Sequence, residues 1–280
     1  MRPLLPGRLV LLGHPVAHSL SPAFQNAALR AAGIALTYEA MDVAPEALDA
    51  ALVALVDARG AGNVTIPHKD AVFRACRVRS ALAERVGAVN TFWVDAEGRL
   101  VGDNTDVAGV EALADAVGVR RRGAVVALLG AGGSASAVCA AVEEWPGAQV
   151  RVHARTPARG EGLVARYPQL VQLADSPGAA VEGATVVINA TPVGMRDESI
   201  PLSLALLPRD ARLMDLVYRP GETRWVREAR AAGHRALDGV EMLLHQGAAA
   251  FERWFGRAPD VEVMRGALQR EAQARTSGAR

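Results

Sequence analysis

A glycine-rich turn, two arginines and one oddly placed lysine are the residues of this chain whose spacing points to chemistry. Gly130-Ala131-Gly132-Gly133-Ser134-Ala135 follows the apolar run 124–129 and precedes small and apolar residues at helical spacing that reach Trp145. The pattern is G-x-G-x-x-A. Glycine at its first position permits a tight turn, glycine at its second lets a pyrophosphate approach the backbone, and alanine at its last lets helix and strand pack closely. The helix N-terminus that follows would face the phosphates. At the end of the next apolar run, 149–153, a cofactor with a free ribose 2′-hydroxyl asks for Asp or Glu. This chain has Ala154-Arg155-Thr156 there, with Arg159 one helical turn later. Cationic donors at that place favour a 2′-phosphate, and so NADP over NAD.

The lysine is Lys69. The run 62–66 reads as a strand, and Pro67-His68-Lys69 opens a helix directly after it. A cation in a first turn opposes the helix macrodipole, and such local violations are expected at functional sites. The position is also the C-terminal edge of a sheet, where α/β proteins place ligands. Asp106, ahead of an apolar-periodic helix over 107–117, reads as its N-cap and as a second titratable group. Ser21-Pro22 reads as an N-cap followed by the first helical residue, opening a helix that ends at Gly33.

These residues need elements to position them. Strands are expected over 9–13, 38–43 and 62–66, a helix over 45–59, and a hairpin joining 88–94 to 99–105 around Asp95-Ala96-Glu97-Gly98. After the glycine-rich unit, strands over 186–190 and 213–217 separated by helices make the middle of the chain doubly wound. Two helices, 240–255 and 259–274, close the sequence without an intervening strand and are expected to pack back on the first domain, with residues 276–280 frayed.

Composition narrows the class. Of 280 residues, 50% are hydrophobic, enough for two cores. Lys and Arg number 31 against 30 Asp and Glu, and aromatics are 4%, which gives no basic face and no stacking platform for nucleic acid. Cys76 and Cys139 lie in apolar stretches without metal spacing and are expected in the core of a protein from a reducing compartment. His14, His18 and His68 lack carboxylate or thiol partners at ligand spacing, so no metal is expected. The run 4–12 is broken by Pro6, Gly7 and Arg8, unlike a signal peptide, and no run approaches the length of a membrane span. A cytoplasmic enzyme is the expectation, as a monomer or homodimer.

Further stretches share one pattern: residues 13–22 (GHPVAHSLSP), 62–69 (GNVTIPHK), 88–91 (AVNT), 102–106 (GDNTD), the glycine-rich turn, Asn189-Ala190-Thr191, 215–218 (DLVY) and 239–246. With these the chain resembles the NADP-dependent shikimate dehydrogenase family almost end to end. The resemblance implies an α/β fold of two domains: a substrate domain over 1–105, completed by C-terminal helices over 239–280, and a Rossmann-type NADP domain over 106–238. It implies Lys69 and Asp106 as the catalytic pair, with Ser19, Ser21, Thr65, Asn90, Asp106, Tyr218 and Gln246 lining the shikimate site. It implies NADP contacts from Gly130, Ala131, Gly132, Gly133, Ser134, Ala154, Arg155, Thr156, Arg159, Thr191, Leu216 and Gly239.

The chain departs from the family pattern at Ala154, where Asn is usual beside the 2′-phosphate, at Pro192 in place of Ser, and at Gly247 in place of Ala. The first removes a polar contact near the adenosine; the other two are expected to tune loops. Alternatives are a quinate/shikimate dehydrogenase using NAD and a non-catalytic NADP-binding regulatory module on the same fold. Folate dehydrogenases share the architecture but have no use for a paired-serine carboxylate site. Arg155 argues against NAD, Ser21 against the threonine that quinate-using relatives tend to carry there, and the joint presence of Lys69 and Asp106 against a non-catalytic module.

Overall fold

A computed structural model describes residues 5–278. The chain divides into two compact units, one formed by residues up to Asp106 together with those from Leu244 onward, the other by Val107–Leu243. The return point therefore lies inside a helix, five residues after Gly239.

The first unit opens with β1 (Arg8–Gly13), α1 (Ser21–Ala31), β2 (Tyr38–Asp42), α2 (Leu48–Asp57) and β3 (Gly60–Val64). It continues through α3 (Lys69–Ala75), β4 (Val78–Arg79), α4 (Ala81–Val86), β5 (Thr91–Val94) and β6 (Leu100–Asp103). The sheet runs β2-β1-β3-β5-β6-β4. β1 lies parallel between β2 and β3, and β5 pairs antiparallel with both β3 and β6. Four consecutive residues of β1, Leu9 to Leu12, are at most 4% exposed, the continuous apolar run of a strand covered on both faces. The expected hairpin is present, closed by the Asp95 N–H to Arg99 O bond at 3.0 Å. Residues 45–47, expected within the second helix, form a separate 3-10 turn ahead of α2.

Two helix starts differ from expectation. α1 begins at Ser21 itself, with Leu20 in the cap position and no side-chain cap bond. The cause is local: Ser19 Oγ already accepts the Ser21 N–H at 3.2 Å, and a proline is tolerated one residue further in because first-turn N–H groups are unpaired. α5 (Asp106–Val117) likewise includes Asp106 as its first residue, and the Asp106 N–H is taken by Asn104 Oδ1 at 3.1 Å.

The last two helices, α10 (Val240–Phe255) and α11 (Val261–Gly278), return to the first unit. α11 packs along α1. Trp254 donates its indole N–H to Phe92 O at 3.1 Å, and Arg253 pairs with the buried Asp103 at 2.7 Å. The expected fraying from Thr276 is not found through Gly278: the helix continues, with Thr276 Oγ1 donating to Ala272 O at 2.9 Å, while 279–280 lie outside the described residues.

The second unit holds β7 (Val125–Leu129), α6 (Gly133–Glu143), β8 (Gln149–His153), α7 (Pro157–Arg166), β9 (Val171–Leu173) and α8 (Pro177–Val181). β10 (Val186–Asn189), β11 (Arg212–Asp215), α9 (Arg224–Ala231) and β12 (Ala236–Leu237) complete it. All its strand pairs are parallel, in the order β9-β8-β7-β10-β11-β12. That is the doubly wound dinucleotide-binding order, with its switch point between β7 and β10. The helix expected between β10 and β11 is absent. The crossover carries only a 3-10 turn, 204–206, and proline at 192, 201 and 208 removes the N–H groups a helix would need. No helix among the described residues is long and apolar enough to cross a membrane. Cys76 and Cys139 are both buried thiols outside any disulfide, and burial pushes the Cys76 thiol up to about 12.

Candidate active site

The loops leaving the carboxyl ends of β1 and β3 touch each other: His14 N–H donates to Ile66 O at 3.0 Å and Thr65 N–H to Leu12 O at 2.8 Å. Gly13 permits this approach, since a Cβ there would stand 2.4 Å from Thr65 Cγ2. His14-Pro15 and Ile66-Pro67 are cis. The β3 loop ends at His68, whose ring reaches Val43 O at 2.6 Å, so α3 starts at Lys69 at a fixed point of the sheet edge.

Lys69 Nζ stands 2.5 Å from Asp106 Oδ2, with side-chain exposures of 16% and 6%. Asn90, just ahead of β5, donates from Nδ2 to the other oxygen, Asp106 Oδ1, at 2.7 Å and also faces Gln246 Oε1 at 3.3 Å. Gln246, on α10, is buried at 8% exposure, where sequence alone would leave it on an exposed helix face. Four polar side chains, from three helices and the loop ahead of β5, thus converge as a salt bridge shielded from water and steadied by amide groups. Removing water strengthens such contacts.

Ser19 lies in the β1 loop and Ser21 opens α1 directly after it, both buried. That loop is held from two sides. Asp42 accepts from the His14 ring at 2.5 Å and from Val16 N–H at 3.3 Å, contacts that hold its carboxyl below the usual carboxylate range. Arg275 of α11 donates to His18 O at 2.7 Å and Ser19 O at 3.1 Å. With no side-chain cap and no acid in the first turn of α1, its partial positive end is left uncompensated beside the two serines. Thr65 is half-buried at the neighbouring loop.

In the second unit Gly130 sits at the switch point with φ +105, and a Cβ there would stand 2.8 Å from Ala190 O and 3.0 Å from Thr191 Cγ2. Gly132 caps α6 without a side-chain bond, and the space a Cβ would occupy there has no neighbour within 4 Å. Open space at a bare helix N-terminus between two strand ends suits a pyrophosphate. Ala131, Gly133 and Ser134 complete that turn. Ala154, Arg155 and Thr156 follow β8 as expected, Thr156 in the cap position of α7 without a side-chain bond, and Arg159 lies in its first turn. Thr191 is fixed by its hydroxyl bond to Asn189 Oδ1 at 2.6 Å.

Leu216 and Gly239 approach closely: a Cβ on Gly239 would lie 2.4 Å from Leu216 O. Tyr218 belongs to this second unit and is half-buried, apart in the chain's division from the other residues assigned to the substrate. Asp215 is wholly buried and accepts from Asn189, Thr223 and the Val217 N–H. Burial raises it to about 6 against those donors. Asn63, Thr91, Thr105 and Arg275 carry contacts next to the site that sequence reasoning did not assign. The first three lie within the stretches that carry the family resemblance, beside residues assigned from it; Arg275 has no local signal.

Residues 11–92 match the family model for the shikimate dehydrogenase substrate binding domain, and residues 239–269 that for the shikimate 5'-dehydrogenase C-terminal domain. A shikimate dehydrogenase (NADP(+)) of Symbiobacterium thermophilum is 44% identical over 278 residues, 93% of each chain. A shikimate 5-dehydrogenase of Thermus thermophilus, solved with NADP(H) and shikimate, superposes with a TM-score of 0.85 at 40% identity, covering 94% of this chain and 98% of that one. The quinate dehydrogenase of Corynebacterium glutamicum, solved with NAD, superposes at 0.83 with 30% identity over 92% and 97% of the two chains. The fold is thus common to enzymes of different substrate and cofactor, while the greater identity and both family models fall on one side. By that measure, the chain belongs to the shikimate dehydrogenase family.

Proposed function

We propose that this protein is an NADP-dependent shikimate dehydrogenase that interconverts shikimate and 3-dehydroshikimate, in a cytoplasm reducing enough to keep its two cysteines as thiols. The observation that carries this is the shielded Lys69–Asp106 pair at the sheet edge, flanked by Asn90 and Gln246 and lying in the same unit as the paired serines. In this reading residues 1–106 with 244–280 hold the substrate and 107–243 hold NADP.

Shikimate offers one carboxylate and three hydroxyls. Ser19, Ser21 and Thr65 supply short donors for the carboxylate beside the uncompensated start of α1, which takes the place of an arginine. Asn90, Gln246 and Asp106 meet hydroxyls, and the family pattern assigns Tyr218 to the substrate as well. The turn 130–134 holds the pyrophosphate, Arg155, Thr156 and Arg159 the 2′-phosphate, with Ala154, Thr191, Leu216 and Gly239 lining the remainder. NADP, when bound, would supply the hydride acceptor for oxidation of the carbinol carbon, and NADPH the hydride donor for the reverse reduction.

The chain's own part is the proton. In oxidation, the substrate hydroxyl proton passes to the Lys69–Asp106 pair as the carbonyl forms. In reduction, protonated Lys69 donates to the developing alkoxide from a position fixed by Asp106, whose second oxygen is held by Asn90.

The test is a spectrophotometric assay of the purified protein with shikimate and quinate, each with NADP and NAD. Turnover is expected with shikimate and NADP far above the other three combinations. Preference for quinate with NAD would make it a quinate dehydrogenase, and no turnover with tight NADP binding would make it a regulatory module.

A further inference from the structure

Asn90 has an amide whose two ends are chemically opposite, and its surroundings admit one orientation. Oδ1 lies 2.7 Å from the Thr105 backbone N–H, a group that only donates, and Nδ2 lies 2.7 Å from a carboxylate oxygen of Asp106, which only accepts when ionised. Turning the amide over would set N–H against N–H and oxygen against oxygen. The hydroxyls of Thr105 and Thr91 also face Oδ1, at 3.2 and 3.1 Å, and lie 2.8 Å from each other. Thr91 Oγ1 accepts from Asn63 Nδ2 at 3.0 Å, and Asn63 Oδ1 accepts from the Tyr38 hydroxyl at 2.9 Å. All five residues are buried, none more than 4% exposed.

Each hydroxyl has one proton to give, so the direction of the chain can be counted. Tyr38 donates to Asn63 and Asn63 to Thr91; of the two threonine hydroxyls one donates to the other and the other to Asn90 Oδ1, and Asn90 donates to Asp106. Every donor points the same way, and the last acceptor is the carboxylate that holds Lys69. We propose that Tyr38, Asn63, Thr91 and Thr105 form a one-way hydrogen-bond relay that locks Asn90 as a donor to Asp106, and that these four are positioning residues for the Lys69–Asp106 pair. The proposal rests on reading that pair as the acid–base centre. Hydrogen bonds aligned head to tail in a low-dielectric interior polarise one another, so the strength of the last bond depends on the first. With Oδ1 held by Asn90, Asp106 presents Oδ2 to Lys69; without that hold the carboxylate is free to rotate.

Thr91→Val keeps the side chain's shape and removes its hydroxyl, while Thr91→Ser restores the hydroxyl. Thr91→Val is expected to lower kcat/KM for shikimate about ten-fold with the NADP KM unchanged, and Thr91→Ser to recover it to within about two-fold. Tyr38→Phe, which leaves the ring packed 6.0 Å from that of Trp254, is expected to lower kcat/KM about two- to three-fold from the far end of the chain. In an Asn90→Ala background, Thr91→Val should cost stability but no further activity. Equal losses in both backgrounds, or a serine variant as slow as the valine one, would overturn the relay. A second readout needs no substrate: in a two-dimensional proton–nitrogen NMR spectrum of the ligand-free protein, the two side-chain amide protons of Asn90 should shift on Thr91→Val and on Tyr38→Phe. Unchanged resonances would overturn the relay whatever reaction the protein performs. Shifted resonances in a protein that does not turn over shikimate would uphold the relay and defeat only the functional reading.

Discussion

The two units bury polar groups by opposite means. Around Lys69 the first unit assembles side chains, each fixed by another side chain, and its buried carboxylate has a cation 2.5 Å away. Around Gly130 the second unit removes side chains, leaving bare backbone N–H groups and open space, and its buried carboxylate, Asp215, is met only by neutral donors. Under the proposed function, side-chain construction suits a step in which a proton must move at one place, and backbone construction suits a diphosphate whose charge is spread over several oxygens. The difference predicts which kind of substitution damages each.

The comparison breaks most completely at Lys69. Lys69→Ala should lower kcat by about 10² to 10⁴ with shikimate KM within a few-fold, since a positioned acid or base acts in the transition state. Asp106→Asn should be comparably slow, and the double variant barely slower than the worse single one. Fully additive losses in steady-state assays at saturating substrates would contradict a unit.

Asp215 tests the other carboxylate through pH. Its folded value of about 6 lies above the ordinary 3.8, so between those values the folded state keeps a proton that the unfolded state releases. Its contribution to stability is therefore present below pH 4 and lost as pH rises through 6, by up to about 3 kcal/mol. Asp215→Asn should gain on the wild type by that order between pH 4 and 7 in urea titrations. A difference independent of pH would mean that the carboxyl is ionised at little cost.

Arg155→Ala should weaken NADP binding ten-fold or more, about 1.5 to 3 kcal/mol for a charge-assisted bond to phosphate, with NAD use little changed. Equal losses with both cofactors would move the 2′-phosphate elsewhere. Gly132→Ala gives the smallest effect and the sharpest contrast. Its Cβ enters empty space at a φ of −95, so the melting midpoint should stay unchanged while the NADP KM rises several-fold. A fall in midpoint would mean that the space is needed for folding rather than for ligand.

What could be read from sequence follows the same division. In the second unit the turn at 130–134 and the segment 154–156 are short stretches whose spacing states their local geometry, and the structure places Gly130 and Gly132 at the turn ahead of α6 and Arg155 just after β8, as their order in the sequence implies. The helix expected between β10 and β11 failed because three prolines outweighed apolar content. In the first unit, Lys69 was legible as a cation at a helix start, but Asn90 and Gln246 are 156 residues apart. No local rule brings them together; only resemblance to a family supplied them. Ser21 and Asp106 are residue types that favour the cap position, but the tighter loops ahead of them, with Ser19 and Asn104 accepting the N–H groups, make each the first residue of its helix.

The return of α10 and α11 has a consequence for how the protein is made. Synthesis proceeds from the N-terminus, and domains fold as units when their sequence is complete. The first unit begins before the second and finishes after it. Until residue 254 emerges, Phe92 O lacks its indole partner, and until residue 275 emerges the loop bearing Ser19 lacks its guanidinium strap. The nascent chain therefore holds a closed second unit beside an open sheet face, the state in which a chaperone would meet it. Premature termination near residue 243 would leave a complete second unit tethered to a first unit that cannot close.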